Sequence, residues 1–492
     1  MNQDPLNKAA ETFFGLPYLF PYQRLAITNI LEGASALGIP LRSPEGGASA
    51  AFQASEDREA LGRQIVILPT GSGKSLCFQL PALFLEGATL AIYPILSLMT
   101  DQERRLRERG FDPAVVRGGQ SPEERNALWE KIRSGKSRFI IANPEVLLTP
   151  AVRETLRTLN IVHAVIDEAH CVSEWGESFR PSYREIARIL DAAGTRLATA
   201  FTATASEPVL KKIETYVFGG EAHRIIGNPD RPNIRYQAMG CLLRDLAVRD
   251  LLLRNRLPAV VFCASRTGTE KLARYLRNEL HHKEVRFYHA GLSREEKKTV
   301  EEWFFAHTRG VLTATCAYGM GVDKPDIRTV IHRDCPPSAE AYLQESGRAG
   351  RDGRPASAIL LWGHDDEERL KRAETDRFSR LLEYARNVHE CRRKALLRLL
   401  DYEGDLSVPE SGCCDVCEGE ASSVPREVPS LLAFFRRNNR RYSVSEAAEA
   451  LAQIGQFRWS RDDAKTAVLQ LIERKTLRRL ANILWKDTLS PR

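Results

Sequence analysis

Three stretches of this 492-residue chain carry residue types that do chemistry. The first is ILPTGSGKSLCFQLPAL, residues 67–83, with an apolar run before it and a helix-like run after it. A loop of this kind points backbone N–H groups at phosphates, and the helix that follows adds partial positive charge. Within its core Thr70, Gly71, Ser72, Gly73, Lys74 and Ser75, the Lys74 ammonium would reach β/γ-phosphates and the Ser75 hydroxyl would coordinate Mg2+. The full phosphate-loop pattern wants Gly at position 68, where Leu68 stands. The second stretch is AVIDEAH, residues 164–170, an apolar strand ending in two carboxylates. Asp167 is placed to hold Mg2+, directly or through water, and Glu168 to orient or deprotonate an attacking water. An acidic pair at a strand end is often structural by itself; the phosphate loop upstream favours the catalytic reading. The third is SGCCDVC, residues 411–417, with Cys391 upstream. Zinc ligands commonly space as C-x2-C, which Cys414 and Cys417 satisfy, while Cys413 is adjacent to Cys414. Gly412 would let the backbone turn so that both neighbours face one ion.

These residues need a scaffold. Short apolar runs at 64–68, 89–93, 138–142, 162–166 and 197–201 alternate with helical stretches such as 100–109 and 182–192. A second series runs through 258–263, 285–288, 310–315, 328–333 and 357–362. The alternation predicts two tandem α/β domains with parallel sheets, joined near GNPDRPNIRY, 227–236. Residues 36–61 are small, polar and largely aperiodic and read as a surface insertion. Residues 365–400 read as helical and 418–430 as a linker. Residues 429–437, 443–452 and 460–474 read as three short helices before a two-strand wing with its tip near Asn482, an order that grips duplex DNA. The expected domains are 1–227, 228–364, 365–424 and 425–492.

Composition is that of an ordinary globular chain, 43% apolar and 27% charged, without a run of about 18 apolar residues or a secretory-type N-terminus. Six of the ten cysteines (Cys77, Cys171, Cys241, Cys263, Cys316, Cys335) are scattered singles, which fits a reducing cytoplasm better than a disulfide framework. The net charge of +7 is concentrated: residues 425–492 hold 14 Lys/Arg against 7 Asp/Glu. A basic terminal module suggests a polyanionic partner.

The chain resembles the superfamily 2 helicases, and specifically the RecQ DNA helicases in their short bacterial form. FTATA (201–205), YPILSLMTDQ (93–102) and NPEVLL (143–148) resemble motifs III, Ia and Ib, and the motifs run in family order from about residue 14 to 354. HCVSEWGESFRPSY (170–183) resembles the aromatic-rich loop, which implies that Trp175, Phe179 and Arg180 couple DNA to hydrolysis. Exposed aromatics stack on bases and Arg holds phosphate, so the role is physically sensible. FGLPYLFPYQ (14–23) resembles motif 0, whose Gln reads adenine; Gln23 fits, but Phe20 stands where the family has a stacking Arg. TATCAYGMGVDKPDIR (313–328) resembles motif V, which implies that Asp323 lies near the ribose. QESGRAGRDG (344–353) resembles motif VI, which assigns Gln344 to the nucleotide, Arg351 as first choice for the cation on the transferring phosphoryl group, and Arg348 as second.

Residues 371–424 resemble the family's zinc-binding subdomain. Ser411 stands where the family has a cysteine, so Zn2+ is expected on Cys391, Cys413, Cys414 and Cys417, with His389 in reserve. The resemblance implies an ATP-, Mg2+- and Zn2+-using monomer of the cytoplasm or nucleoid that unwinds DNA 3′ to 5′ in repair or recombination. Its expected partners are single- and double-stranded DNA and a single-strand-binding protein or topoisomerase; no membrane is expected. Two alternatives stay open. An RNA helicase of the DEAD type would read Asp-Glu-Ala-Asp and Ser-Ala-Thr, and a non-catalytic DNA-binding or annealing protein would not need Lys74, Asp167, Glu168 and Arg351.

Overall fold

In a computed structural model, residues 4–44, 62–69, 72–174, 181–280, 284–318, 324–372, 376–402, 409, 412–455, 458–481, 485 and 487–491 are described. The chain divides into two units, Met1–Asp230 and Arg231–Arg492.

The first unit is built on seven strands: β1 (Arg63–Ile67), β2 (Ala88–Ile92), β3 (Ala114–Val116), β4 (Phe139–Ala142), β5 (Ile161–Ile166), β6 (Leu197–Thr202) and β7 (His223–Ile226). Their order is β3-β4-β2-β5-β6-β1-β7, and every pairing is parallel. Helices return the chain from strand to strand, so the sheet is covered and its inner strands β2, β4 and β5 are mostly runs of Ile, Val, Ala and Leu. Ile65, Ile67, Leu90, Ile92, Ile140, Ala164 and Ile166 share one fully apolar core. The chain ends of β1 and β5, adjacent to β6 from either side, bring residues 68–69 and 72–75 and residues 167–170 to one edge of the sheet, where open α/β folds place their ligands.

The second unit carries β8 (Ile234–Gly240), β9 (Ala259–Phe262), β10 (Val285–Tyr288), β11 (Val311–Ala314), β12 (Thr329–His332) and β13 (Ala356–Trp362), again all parallel, in the order β10-β11-β9-β12-β13-β8. Alternate residues feed opposite cores: Val260 and Phe262 pack with Tyr236, Tyr342 and Leu381, whereas Ala259, Val261 and Cys263 pack with Val248 and Leu272. β8 is an edge strand, and its free side is occupied by the cysteine segment. Tyr236 bridges Cys414, the Asp415 N–H donates to the Tyr236 carbonyl at 3.2 Å, and the Asp415 carboxylate accepts from the Ala238 N–H at 2.9 Å. An uncovered edge would present unpaired N–H and C=O groups.

Three helices, Val428–Arg437, Val444–Ala452 and Arg461–Glu473, and an antiparallel ribbon of β14 (Leu477–Arg479) and β15 (Leu489–Pro491) complete the chain. The expected tip at Asn482 lies outside the described residues. Two expectations are corrected. Residues 418–430 are not a free linker: Glu427 is buried and accepts from the Leu242 N–H, Arg426 pairs with Asp250 at 2.6 Å, and the helix starts at Val428. The stretch 36–61 is not wholly an insertion either, because Leu41 bridges Leu85 and the Arg42 N–H donates to the Phe84 carbonyl at 2.8 Å. Its remainder, 45–61, is outside the described residues. Among the described residues no helix is long and apolar enough to cross a membrane.

Candidate functional site

At the end of β1 the chain passes Leu68 and Pro69, and resumes at Ser72 and Gly73 before the helix Lys74–Gln79; Thr70 and Gly71 are outside the described residues. Leu68 is fully buried, and the room it takes is given by Gly227, where a Cβ would meet Leu68 Cδ2 at 2.8 Å. Gly73 is required twice. Its φ is 77°, and a Cβ there would lie 2.6 Å from Gln23 Nε2. That clearance lets Gln23, buried at the start of the helix Pro21–Ala36, donate from Nε2 to the Ser72 carbonyl at 2.8 Å. Gln23 Oε1 accepts from the Phe20 N–H at 3.0 Å, leaving one amide hydrogen and one lone pair for a base edge. Phe20 is exposed, lies parallel to Tyr22 (centroids 5.5 Å apart) and meets Tyr18 edge-on.

The carboxylates stand opposite this loop. The Asp167 N–H continues the ladder to the Ile92 carbonyl at 3.0 Å, and then the backbone turns left-handed at Glu168 (φ 50°). A strand would send successive side chains to opposite faces. The turn instead sets both carboxylates around one ammonium: Lys74 Nζ lies 3.4 and 3.5 Å from the two Glu168 oxygens and acts on Asp167 through space. A left-handed non-glycine residue stores strain, which sites of chemistry commonly carry. Burial, and secondly the Glu168 charge, push the Asp167 carboxyl up to about 7, against the pull of Lys74. Such a cluster suits a divalent cation, which would take the proton's place on Asp167.

Two neighbours hold the cluster. Thr202 donates its hydroxyl proton to the Thr204 carbonyl at 2.9 Å, so it accepts from His170, whose Nδ1 (3.1 Å away) must carry the proton. Nδ1 also lies 3.4 Å from Glu168 Oε2, so the TAT segment touches the DEAH segment through one imidazole. Gln102 donates to the Ser75 hydroxyl at 3.2 Å and accepts from Gln79 at 3.0 Å. The sequence placed Gln102 only at the end of the motif Ia resemblance, 93–102, with no role at Ser75. Its signal is a glutamine on the buried stripe Leu98, Met99, Gln102, Leu106 of the helix Leu96–Glu108, where helical spacing calls for an apolar side chain. Trp175, Phe179, Arg180 and Asp323 fall outside the described residues.

In the second unit Gln344 is half-buried on the helix Ala339–Ser346, Arg348 is buried and Arg351 half-buried. The turn bearing the arginines is anchored by the Gly350 N–H to the Ile327 carbonyl (2.8 Å) and the Asp352 N–H to the Pro325 carbonyl (3.1 Å).

The sulfurs of Cys391, Cys413, Cys414 and Cys417 all lie within 4.8 Å of one another, with Cys391 3.6 Å from Cys413 and 3.9 Å from Cys414. A tetrahedron with 2.3 Å metal–sulfur bonds has edges of about 3.8 Å, so the donor set fits Zn2+. Gly412 is left-handed (φ 71°), which turns the adjacent pair Cys413–Cys414 toward one point. His389 is not in the cluster, and Ser411 is outside the described residues. Behind the thiols a buried, two-pronged pair joins Arg392 to Asp415 (2.9 and 3.3 Å).

Comparison with known proteins agrees with this geometry. Residues 20–213 match the DEAD/DEAH box helicase model, 243–353 the helicase conserved C-terminal domain, and 352–418 the RecQ zinc-binding model. The chain is 38% identical to the probable ATP-dependent DNA helicase RecS of Bacillus subtilis, over 62% of each chain. It is 30% identical to the ATP-dependent DNA helicase RecQ of the same organism, over 80% of this chain and 68% of that one. Against several such relatives it spans about three fifths of their length. In fold it is similar to the DUF1998 helicase MrfA bound to DNA (TM-score 0.57, 19% identity, 78% of this chain and 57% of that one). Two parallel-sheet helicase domains followed by four clustered thiols, and relatives of this identity and extent, lead to one assignment: the chain belongs to the RecQ family of helicases.

Proposed function

We propose that this chain is an ATP-dependent DNA helicase that couples ATP hydrolysis to 3′-to-5′ movement on one strand and to duplex unwinding in repair or recombination. The observation that carries the reading is the Lys74–Glu168–Asp167 cluster facing the phosphate loop. Lys74 draws the β/γ-phosphates into place, exchanging Glu168 for a phosphate oxygen. Glu168, released, orients the attacking water and accepts its proton, while His170 keeps it in register with the TAT segment. Gln102 fixes the Ser75 hydroxyl. Asp167 and Ser75 would hold Mg2+, which when bound neutralises phosphate charge. Gln23, Gly71, Ser72 and Gly73 enclose the nucleotide, with Asp323 at the ribose and Gln344 at the triphosphate. Arg351 and Arg348 supply positive charge to the transferring phosphoryl group, and Trp175, Phe179 and Arg180 report the bound strand. The four cysteines hold structural Zn2+, a four-thiolate set that leaves no open position for water.

The terminal helices and ribbon are read as a winged helix on duplex DNA, supported by their order and by the basic charge of residues 425–492. The partners proposed are single- and double-stranded DNA, and, on family grounds alone, a single-strand-binding protein or topoisomerase near the nucleoid. ATP turnover measured with single-stranded DNA, with RNA and with neither separates the readings. DNA-specific stimulation is expected, and Lys74→Ala should lower turnover by about 100-fold or more while leaving DNA binding. Stimulation by RNA alone would favour an RNA helicase, and turnover undiminished in Lys74→Ala would remove the site assignment.

A further inference from the structure

The segment Ser346–Arg351 presents its two arginines from a turn with little freedom. Gly350 has φ 56°, and a Cβ there would meet the Asn233 amide nitrogen at 2.5 Å and the Arg354 carbonyl at 2.7 Å. Besides its two amide anchors, the turn is gripped by its carbonyls. Arg231 donates from Nη1 to the Gly347 carbonyl at 3.2 Å, and from Nη2 to the carbonyls of Ala349 at 3.3 Å and Gly350 at 2.8 Å. Asn233 donates to the carbonyls of Gly350 and Arg354 at 2.8 and 2.9 Å. Arg231 is seated in turn: its own carbonyl accepts from Arg393 Nη1 at 2.9 Å, and Arg393 Nη2 donates to the Ile234 carbonyl at 2.9 Å. Arg393 is buried, lies over the Tyr236 ring at 5.4 Å, and stands two residues past Cys391.

A guanidinium is a rigid planar fork, so one that bonds three carbonyls within the four residues 347–350 restrains the peptide planes they belong to. The Gly347 plane leads into Arg348 and the Gly350 plane into Arg351, so both side chains leave a backbone held on its N-terminal side. Phosphoryl transfer is governed by where charge is held, and misplacement by about 1 Å can cost 100-fold in rate.

We propose that Arg231 is a positioning residue for the turn carrying Arg348 and Arg351, and that Arg393, on the helix that begins at the cysteine cluster, sets where Arg231 stands. The inference rests on the chain being an ATPase in which those two arginines serve turnover. Arg231 acts through the main chain of residues 347–350, so its loss should affect the rate of the chemical step and not the capture of ATP.

The test uses the full chain as wild type, Arg231→Ala, Arg231→Lys and Lys74→Ala, with ATP turnover measured at saturating single-stranded DNA. Zinc content and thermal melting are measured in parallel. Arg231→Ala should lower kcat by about 30- to 100-fold, with KM for ATP and DNA affinity within about twofold of wild type and zinc retained. Arg231→Lys keeps one cation but loses the fork, and should fall between Ala and wild type. An Arg231→Ala protein with kcat within about threefold of wild type overturns the inference. So does a kcat loss that comes only with lost zinc or collapsed melting. If Arg231→Ala does not fold, Arg231→Lys decides: wild-type kcat overturns the inference, and a reduced kcat at unchanged KM and zinc content supports it. Absence of turnover in the wild type would overturn the ATPase reading and this inference together, whereas wild-type turnover with unaffected Arg231 variants overturns this inference alone.

Discussion

At the scale of single residues, the site is a cluster of charges that oppose one another until a ligand arrives. The Asp167 carboxyl is raised from 3.8 to about 7, first by burial and then by Glu168. Its folded value exceeds its unfolded one, so the metal- and nucleotide-free protein keeps this contribution below about pH 4 and loses it as pH climbs to about 7. Asp167→Asn should therefore stabilise that form at pH 8 by roughly 2 kcal/mol while abolishing ATP turnover. Melting in EDTA at pH 5 and pH 8 checks it: a stabilisation equal at both pH values would contradict the assignment. Much of this chemistry could be read from the sequence, because Gly73, Lys74 and Ser75 are contiguous in one motif and Asp167 and Glu168 in another. Gln102 and Arg231 could not, since each acts on a segment distant in sequence through one or a few hydrogen bonds. Gln102 was visible only as a polar residue on an apolar stripe, and Arg231 looked like part of a junction.

At the scale of elements, most strands found from sequence are largely buried apolar runs, such as β2, β4, β6, β9, β11 and β12; β10, with Arg286 and Phe287 half-buried, is the exception. Those passed over are β3, of three residues, β7, which mixes His and Arg with Ile, and β8, whose buried and half-buried residues alternate. An edge strand has that alternation because one side chain in two meets a less apolar surface. The cysteine segment supplies the missing neighbour of β8, held there by Arg392 and Asp415. Arg392→Ala would leave Asp415 buried without its cation and should cost about 3–5 kcal/mol, read as a lower melting temperature. Removing the metal by chelation, or replacing Cys413 by Ser, should raise hydrogen exchange at the Ala238 and Tyr236 amides first. Unchanged protection there would separate the thiol cluster from the strand.

At the scale of the second unit as a whole, the C-terminal helices share a core with the sheet domain. Leu242 and Leu246 pack with Leu431, Phe435, Leu451 and Leu471, and His364–Glu473 (3.1 Å) and Arg474–Glu367 (3.4 Å) join the surfaces above. Polar composition made 418–430 look like a linker in the sequence, because Glu427 is buried and Arg426 half-buried through pairing and not through apolarity. Phe435→Ala should cost about 3–5 kcal/mol and lower the melting of the whole unit. A separate early transition confined to the C-terminal helices would show that the two melt independently. The pairing of β8 also bears on how the protein is made. β8 is the first strand of its sheet to leave the ribosome, yet its sheet neighbour β13 comes next to last among its partners and the cysteine segment comes last. Roughly 170 residues separate Gly240 from Cys413, which at about 5–20 residues per second is on the order of 10–35 s of synthesis. Until β13 is made β8 has no sheet neighbour, and until the cysteine segment is made one of its sides stays open, so metal supply and chaperone occupancy during translation should affect the yield of folded protein.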